Sequence, residues 1–101
     1  MEYQEVQTKK EYLDLLNKVK GESKILAEIS PTMKIYASIF NQLSDVKKLL
    51  DADHTFAEEE IYDLYNFGAI AVKNFDCDND LFGRELQDLF GGLFDYQKMP
   101  D

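Results

Sequence analysis

The sequence predicts an all-α fold, a compact bundle of four to five helices in one domain over residues 1–101. Four segments place apolar residues at helical spacing between recognisable capping residues. Hydrophobic residues make up 45% of the 101-residue chain and aromatic residues 13%, which is enough for one core and argues against disorder. An α+β fold with a small two-stranded N-terminal sheet is the alternative.

The first predicted helix runs from about Lys9 to Lys20. Thr8 and Glu11 match a capping box, in which each side chain accepts a hydrogen bond from the other residue's backbone amide. Gly21 occupies a typical C-terminal capping position. The apolar residues of this segment share one face of the helix: Tyr12, Leu13, Leu16 and Val19.

The segment Lys24–Ser30 is ambiguous because short apolar runs fit a strand as well as a helix. As a strand it would alternate Ile25, Ala27 and Ile29 and pair with Tyr3–Val6, with the first helix as the crossover. The second half of the chain offers no convincing hairpin. We therefore favour the helical alternative.

The second predicted helix runs from about Pro31 to Leu50. Ser30 is a favourable N-cap, and a proline at the first helical position loses an amide that has no partner there anyway. The apolar stripe consists of Tyr36, Ile39, Phe40, Leu43, Val46, Leu49 and Leu50.

The third predicted helix runs from about Phe56 to Phe75, with Thr55 and Glu58 as a second capping box. Gly68 inside it is unfavourable by about 1 kcal/mol relative to alanine, which suggests a close crossing with a neighbouring helix. The predicted apolar face consists of Ile61, Leu64, Tyr65, Gly68, Ala71, Val72 and Phe75.

The fourth predicted helix runs from about Leu81 to Phe90 and ends at Gly91-Gly92. Asp78-Asn79-Asp80 forms its cap region. Its predicted face comprises Phe82, Leu86, Leu89 and Phe90. The segment Leu93–Tyr96 is too apolar to remain in solvent, so we expect it to fold back onto the core.

Charge divides the chain into two unlike halves. Residues 1–50 contain 7 acidic and 8 basic residues, whereas residues 51–101 contain 13 acidic and 3 basic residues, which together give the net charge of −9. Nine of the 13 aromatic residues also lie in the acidic half. A negative field of this kind repels nucleic acids and anionic membranes and attracts a basic partner.

No motif in the sequence predicts catalysis, a metal site or a cofactor. Asp76–Asp80 resembles the start of a calcium-binding loop, but Leu81 replaces the expected glycine and Gln87 the expected glutamate. Helix capping explains these acids more simply. The single histidine, His54, is predicted to lie in a solvent-facing loop, and the single cysteine, Cys77, is predicted to be an inert thiol because acids flank it.

The predicted partner-binding residues lie in the acidic half. On a helix that begins at Phe56, three of them (Glu59, Tyr62 and Asp63) share one face. Tyrosine provides rigid contact area and carboxylates steer a basic partner. The full predicted set is Asp51, Asp53, Glu58, Glu59, Tyr62, Asp63, Asp76, Asp78 and Asp80.

The expected function is that of a cytoplasmic, non-catalytic module that blocks a basic, nucleic-acid-binding surface of another protein. A nuclease or a DNA-processing protein would offer such a surface to an inhibitor, antitoxin, immunity protein or DNA mimic. The alternative is a structural or regulatory subunit, or a homodimer, assembled through Phe67, Phe94 and Tyr96. The sequence leaves the oligomeric state open.

Overall fold

A computed structural model describes residues 6–76 and 78–101, and these residues contain helices and no strand. The predicted all-α bundle is therefore confirmed. Most of the candidate strand Tyr3–Val6, and Cys77, lie outside the described residues. Along the described part of the chain, every helix is too short or too polar to cross a bilayer. The elements in order are α1 (Lys9–Ile29), α2 (Lys34–Asp51), α3 (Glu58–Leu64), α4 (Phe67–Asn74), α5 (Leu81–Asp95) and a short 3-10 helix (Tyr96–Lys98).

Helix α1 begins where the sequence predicts, because the Thr8 hydroxyl accepts the backbone N–H of Glu11 at 3.0 Å. The predicted end at Gly21 is wrong, and so is the strand alternative for Lys24–Ser30. Gly21 is exposed and has an ordinary helical backbone. The residues after it are mostly good helix formers, and the buried Ser23 hydroxyl donates to the Val19 carbonyl at 2.7 Å. The helix therefore continues.

Helix α2 begins at Lys34, three residues later than predicted. Because α1 continues to Ile29, Ser30 ends α1 instead of capping α2, and its backbone N–H donates to the Leu26 carbonyl. Pro31 lies in the turn between the helices, where its ring keeps the preceding residue out of the helical region. Met33 takes the N-cap position without a side-chain hydrogen bond.

The predicted third helix is two helices, α3 and α4, separated at Tyr65 and Asn66. In one continuous helix, Tyr65 and Phe67 would point about 160° apart, so only one of them could enter the core. With the break both are buried, at 4% and 0% exposure. The predicted Thr55 capping box is also wrong, because Ala57 is the N-cap and the Glu60 carboxylate accepts its N–H at 3.3 Å.

Helix α5 continues through Gly91-Gly92 to Asp95, so its predicted end is wrong. The segment after the glycines extends the apolar face, and Leu93 is only 3% exposed. Gly92 lies against Tyr12, whose ring also packs on Tyr96 at 5.3 Å between centroids. The prediction that Leu93–Tyr96 returns to the core is therefore confirmed.

The core lies between α1, α2, α4 and α5. Leu64 and Val72 were predicted to join it, but they are 49% and 63% exposed because the break reorients both helices. The Tyr12 hydroxyl links α1 to α5 by donating a hydrogen bond to the Leu89 carbonyl at 2.6 Å. The buried apolar side chains are Tyr12, Leu16, Val19, Ile39, Leu43, Val46, Leu50, Ile61, Tyr65, Phe67, Ala71, Leu86, Leu89 and Leu93.

Candidate functional site

An open apolar groove of about 670 Å³ lies between α4 and α5, with Tyr62 of α3 at one end. Its volume is within the range typical of binding clefts. Tyr62 and Val72 are each 63% exposed, so both can contact a partner without any rearrangement of the core. The lining residues are Tyr62, Tyr65, Asn66, Gly68, Ala69, Val72, Gln87, Phe90 and Gly91.

A close contact between Gly68 and Phe90 forms the floor of the groove. A Cβ atom placed on Gly68 would lie 2.6 Å from Cγ of the Phe90 ring, so the glycine lets α4 approach α5 closely. The predicted close crossing at Gly68 is thereby confirmed. Phe90 also packs edge-on against Phe67 and Phe94, with centroids 5.2 and 5.6 Å apart.

Tyr62 completes the aromatic end of the groove. Its ring packs on Phe94 at 5.2 Å and on Phe90 at 6.0 Å between centroids. These contacts restrict the ring while more than half of its surface faces solvent. A supported but exposed tyrosine is the kind of side chain that dominates protein interfaces.

Two polar groups of the groove are already hydrogen-bonded to α2. The Tyr65 hydroxyl donates to the Asp45 carboxylate at 2.5 Å. Burial and this carboxylate raise the pKa of Tyr65 above its usual range. The Asn66 backbone N–H donates to Gln42 Oε1 at 2.8 Å, and Gln42 Nε2 donates to Asn66 Oδ1 at 2.6 Å. The groove therefore presents mainly apolar surface.

Helix α3 places carboxylates beside this groove. Glu59, Tyr62 and Asp63 are exposed on one face, as their spacing predicts, and Glu58 is exposed beside them. Glu60 instead bonds to His54 at 2.9 Å. His54, expected to face solvent, is half-buried by that contact and by the Phe56 ring.

Asp51 and Asp53 lie at the end of α2, where both have local roles. Asp51 forms an ion pair with Lys47 at 2.5 Å, which offsets its charge. Asp53 has a φ of 59°, the left-handed conformation that usually follows a helix. The backbone N–H groups of Asp53 and His54 donate to the carbonyls of Leu50 and Leu49 and complete the helix cap.

Asp76, Asp78 and Asp80 lie in the connection between α4 and α5. The Asp76 carboxylate accepts the Asn79 side-chain amide and the Asp78 backbone N–H, and these bonds lower its pKa. Asp80 caps α5 by accepting the Phe82 N–H at 3.0 Å. The capping interpretation explains these bonds. Within the described residues, no cluster of three potential metal ligands was found.

The nine predicted partner-binding residues do not form one patch. Tyr36, near the start of α2, packs on Phe75 and Phe82, which flank the Asp76–Asp80 connection. Asp51 ends the same helix, which has 18 residues and is about 27 Å long. The connecting acids therefore lie near one end of α2, and Asp51 and Asp53 lie at the other.

The sequence interpretation missed most of the groove. The spacing assigns Val72 and Phe90 to the core and Gly91 to the end of the fourth helix, and it gives Ala69 no role. A signal was present, because Phe67–Val72 is apolar on more faces than one surface helix can bury. The alternative of a structural subunit places Phe67 on an assembly surface, but Phe67 is fully buried.

An ion pair between the half-exposed Lys18 and the buried Glu85 joins α1 to α5. Lys18 Nζ lies 2.8 Å from Glu85 Oε2, and the Glu85 side chain is only 3% exposed. The bond to Glu85 raises the pKa of Lys18, while burial and the Glu85 charge raise the pKa of Glu22 beside it. This arrangement holds α1 against α5.

The fold and the groove together define a small all-helical domain with an open apolar surface beside carboxylates. The family model that matches the chain, over residues 8–94, is Tsi6, and the chain belongs to the Tsi6 family. This immunity-type family is associated with type VI secretion, and membership supports a small immunity or inhibitor protein that binds a partner effector. Neither the curated proteins nor the solved structures gave a significant match.

Proposed function

We propose that this chain blocks a basic surface of its partner effector through the α3 face (Glu58, Glu59, Tyr62 and Asp63) and the adjoining groove. The observation that carries the proposal is Tyr62, 63% exposed between α3 carboxylates and an apolar groove. Family membership supports an effector as the partner. Binding and obstruction alone would inhibit the effector, so no reaction by this chain is needed.

The charge distribution supports a basic contact surface on the effector. Glu58, Glu59 and Asp63 are exposed on α3, in a half of the chain that carries 13 acidic and 3 basic residues. Carboxylates around an interface accelerate association with a basic partner and disfavour acidic competitors. A nucleic-acid-binding site, or another site for an anionic substrate, has the required positive charge.

The shape of the surface supports an interface in which a few residues around Tyr62 contribute most of the binding free energy. Interfaces gain most of their affinity from a few aromatic and basic side chains surrounded by contacts that exclude water. Tyr62 has the exposure and the aromatic support for such a role. Glu59 and Asp63, one turn apart on the same face of α3, provide a charged flank beside it.

Affinity capture from the native host, eluted with a salt step, tests this proposal. The captured effector is identified by mass spectrometry, and its active domain is then expressed with and without this chain. We expect a complex that forms rapidly at low salt and protects cells from the effector. Equal affinity at low and high salt would exclude the basic contact surface.

Sedimentation of the purified chain tests the alternative of a homodimeric or structural subunit. We expect a monomer that forms a heterocomplex with the effector. A stable homodimer that hides Tyr62, together with no effector capture, would favour the alternative.

A further inference from the structure

We propose that the groove between α4 and α5 binds the apolar face of an amphipathic helix of the effector, whose lysines or arginines meet Glu59 and Asp63. This inference rests on the proposed function and specifies the partner element that the site would recognise. The groove and the α3 carboxylates would thus act on the same segment.

The chemistry of the groove favours apolar side chains. Ala69, Val72, Phe90 and Gly91 supply apolar walls and floor. The Tyr65 hydroxyl and the Asn66 amide bond to Asp45 and Gln42 instead of converging on the groove. A polar metabolite needs several convergent polar groups for orientation and specificity, so this lining suits aliphatic or aromatic groups better.

The size of the groove favours a helix over one inserted side chain. At about 670 Å³ it has room for several aliphatic groups. Apolar residues at positions i, i+3 and i+4 of a partner helix would enter together, as in other helix-in-groove complexes. The groove is open to solvent, so a continuous segment can approach it.

The carboxylates favour basic residues beside those apolar groups. Glu59 and Asp63 lie on the same exposed face as Tyr62. Glu59 is one turn before Tyr62, and Asp63 directly follows it in the sequence. A partner helix over Tyr62 would bring its polar flank toward these acids. Lysine or arginine there gains a favourable ion pair, whereas glutamate or aspartate is repelled.

Matched glycine substitutions test occupation of the groove. Gly91 and Gly21 are both exposed in helices, and a Cβ atom on either meets no other atom within 4 Å. Gly91→Leu fills the groove, whereas Gly21→Leu adds the same side chain on α1. We expect Gly91→Leu to weaken binding of the captured effector at least about tenfold, and Gly21→Leu to change it less than twofold.

A second matched pair removes apolar surface without adding charge. Val72 in the groove and Ile25 on α1 are 63% and 57% exposed. We expect Val72→Gln to weaken effector binding and Ile25→Gln to leave it unchanged. Circular dichroism and thermal melting of all four variants verify that each remains folded.

Hydrogen exchange of the effector in the complex identifies the bound segment. We expect protection of a helix that has an apolar face and a basic face. This protection should be lost with Gly91→Leu. Unchanged binding by both groove variants, or protection confined to a segment that is not an amphipathic basic helix, would overturn this inference while the proposed function stands. No effector binding by the folded wild-type chain would reject both.

Discussion

Gly68 of α4 lies directly against Phe90 of α5, so that even a methyl group on the glycine would lie 2.6 Å from Cγ of the ring. The Phe90 Cβ atom would be 3.1 Å away. The steric clash thus includes the Phe90 Cβ atom, which cannot move unless the α5 backbone shifts. The fit between these two residues sets the depth of the groove.

Alanine at Gly68 is therefore expected to destabilise the protein. Alanine is the better helix former by about 1 kcal/mol, but overpacking of this kind typically costs about 1–3 kcal/mol. We expect a net decrease in the free energy of unfolding, measured by urea denaturation. Gly21→Ala is the control and should stabilise the protein, since its Cβ atom meets open space. If both substitutions stabilise the protein, α5 can shift to accommodate the added methyl group, which would contradict this prediction.

Removal of the Gln42 side chain is expected to weaken the junction between α3 and α4. Gln42 makes two hydrogen bonds to Asn66, and one of them satisfies the Asn66 backbone N–H at the break. We expect Gln42→Ala to lower the unfolding free energy by about 1–2 kcal/mol. Asn41→Ala, at the neighbouring exposed position, is the control. Hydrogen exchange should show faster opening around residue 66 in the Gln42 variant alone.

Stability is expected to fall at alkaline pH because two buried tyrosines resist ionisation. Burial raises the pKa of Tyr12, and burial with the Asp45 contact raises the pKa of Tyr65. In the unfolded chain both ionise near pH 10. Their stabilising contribution is therefore complete below pH 10 and decreases as pH rises above it, by up to about 1.4 kcal/mol per pH unit for each group.

Melting temperatures between pH 8 and 11.5 measure this effect. Tyr12→Phe should flatten the alkaline decline, although it also removes the hydrogen bond to Leu89 and lowers stability at pH 8. Tyr62→Phe, which removes an exposed hydroxyl, should leave the slope unchanged. Part of the decline should persist in Tyr12→Phe, because Tyr65 is unchanged and the pKa of Lys18 is also raised, by its bond to Glu85. An equal slope in all three proteins would contradict the assignment to Tyr12.

Charge reversal on α3 is expected to slow association with the effector. Glu59→Lys and Asp63→Lys together should reduce the association rate constant about tenfold at low salt, because steering depends on these exposed acids. The difference should shrink as salt screens the field. Asp14→Lys and Glu28→Lys together reverse two exposed acids on α1 and are the matched control. Stopped-flow measurements that show equal slowing at all sites would assign the effect to net charge alone.

Local signals in the sequence predicted helix identity better than helix ends. Within the described residues, the apolar stripes of α1 and α2 contain seven of the 14 buried apolar side chains. Gly21 misled the prediction because an exposed glycine can stay inside a helix when its neighbours favour helix strongly. Gly91 and Gly92 misled it in the same way, since the apolar face continues to Leu93.

The α3–α4 break and the groove could not be predicted from spacing alone. Tyr65 and Phe67 compete for the same core, and the side chains that resolve this competition, Gln42 and Asp45, come from another helix. The groove arises from this tertiary arrangement. The α3 face, by contrast, follows directly from residue spacing, because Glu59, Tyr62 and Asp63 belong to one short helix.

The backbone N–H of Lys9 donates to the Pro100 carbonyl at 2.8 Å, so two positions far apart in sequence are neighbours in space. A short flexible linker between Gln7 and Asp101, which adjoin this contact, would keep the Thr8 cap of α1 at little entropic cost. New termini opened in the exposed turn after α2 would then place α3 near the beginning of the chain, where display libraries could vary it without altering the helices that support it.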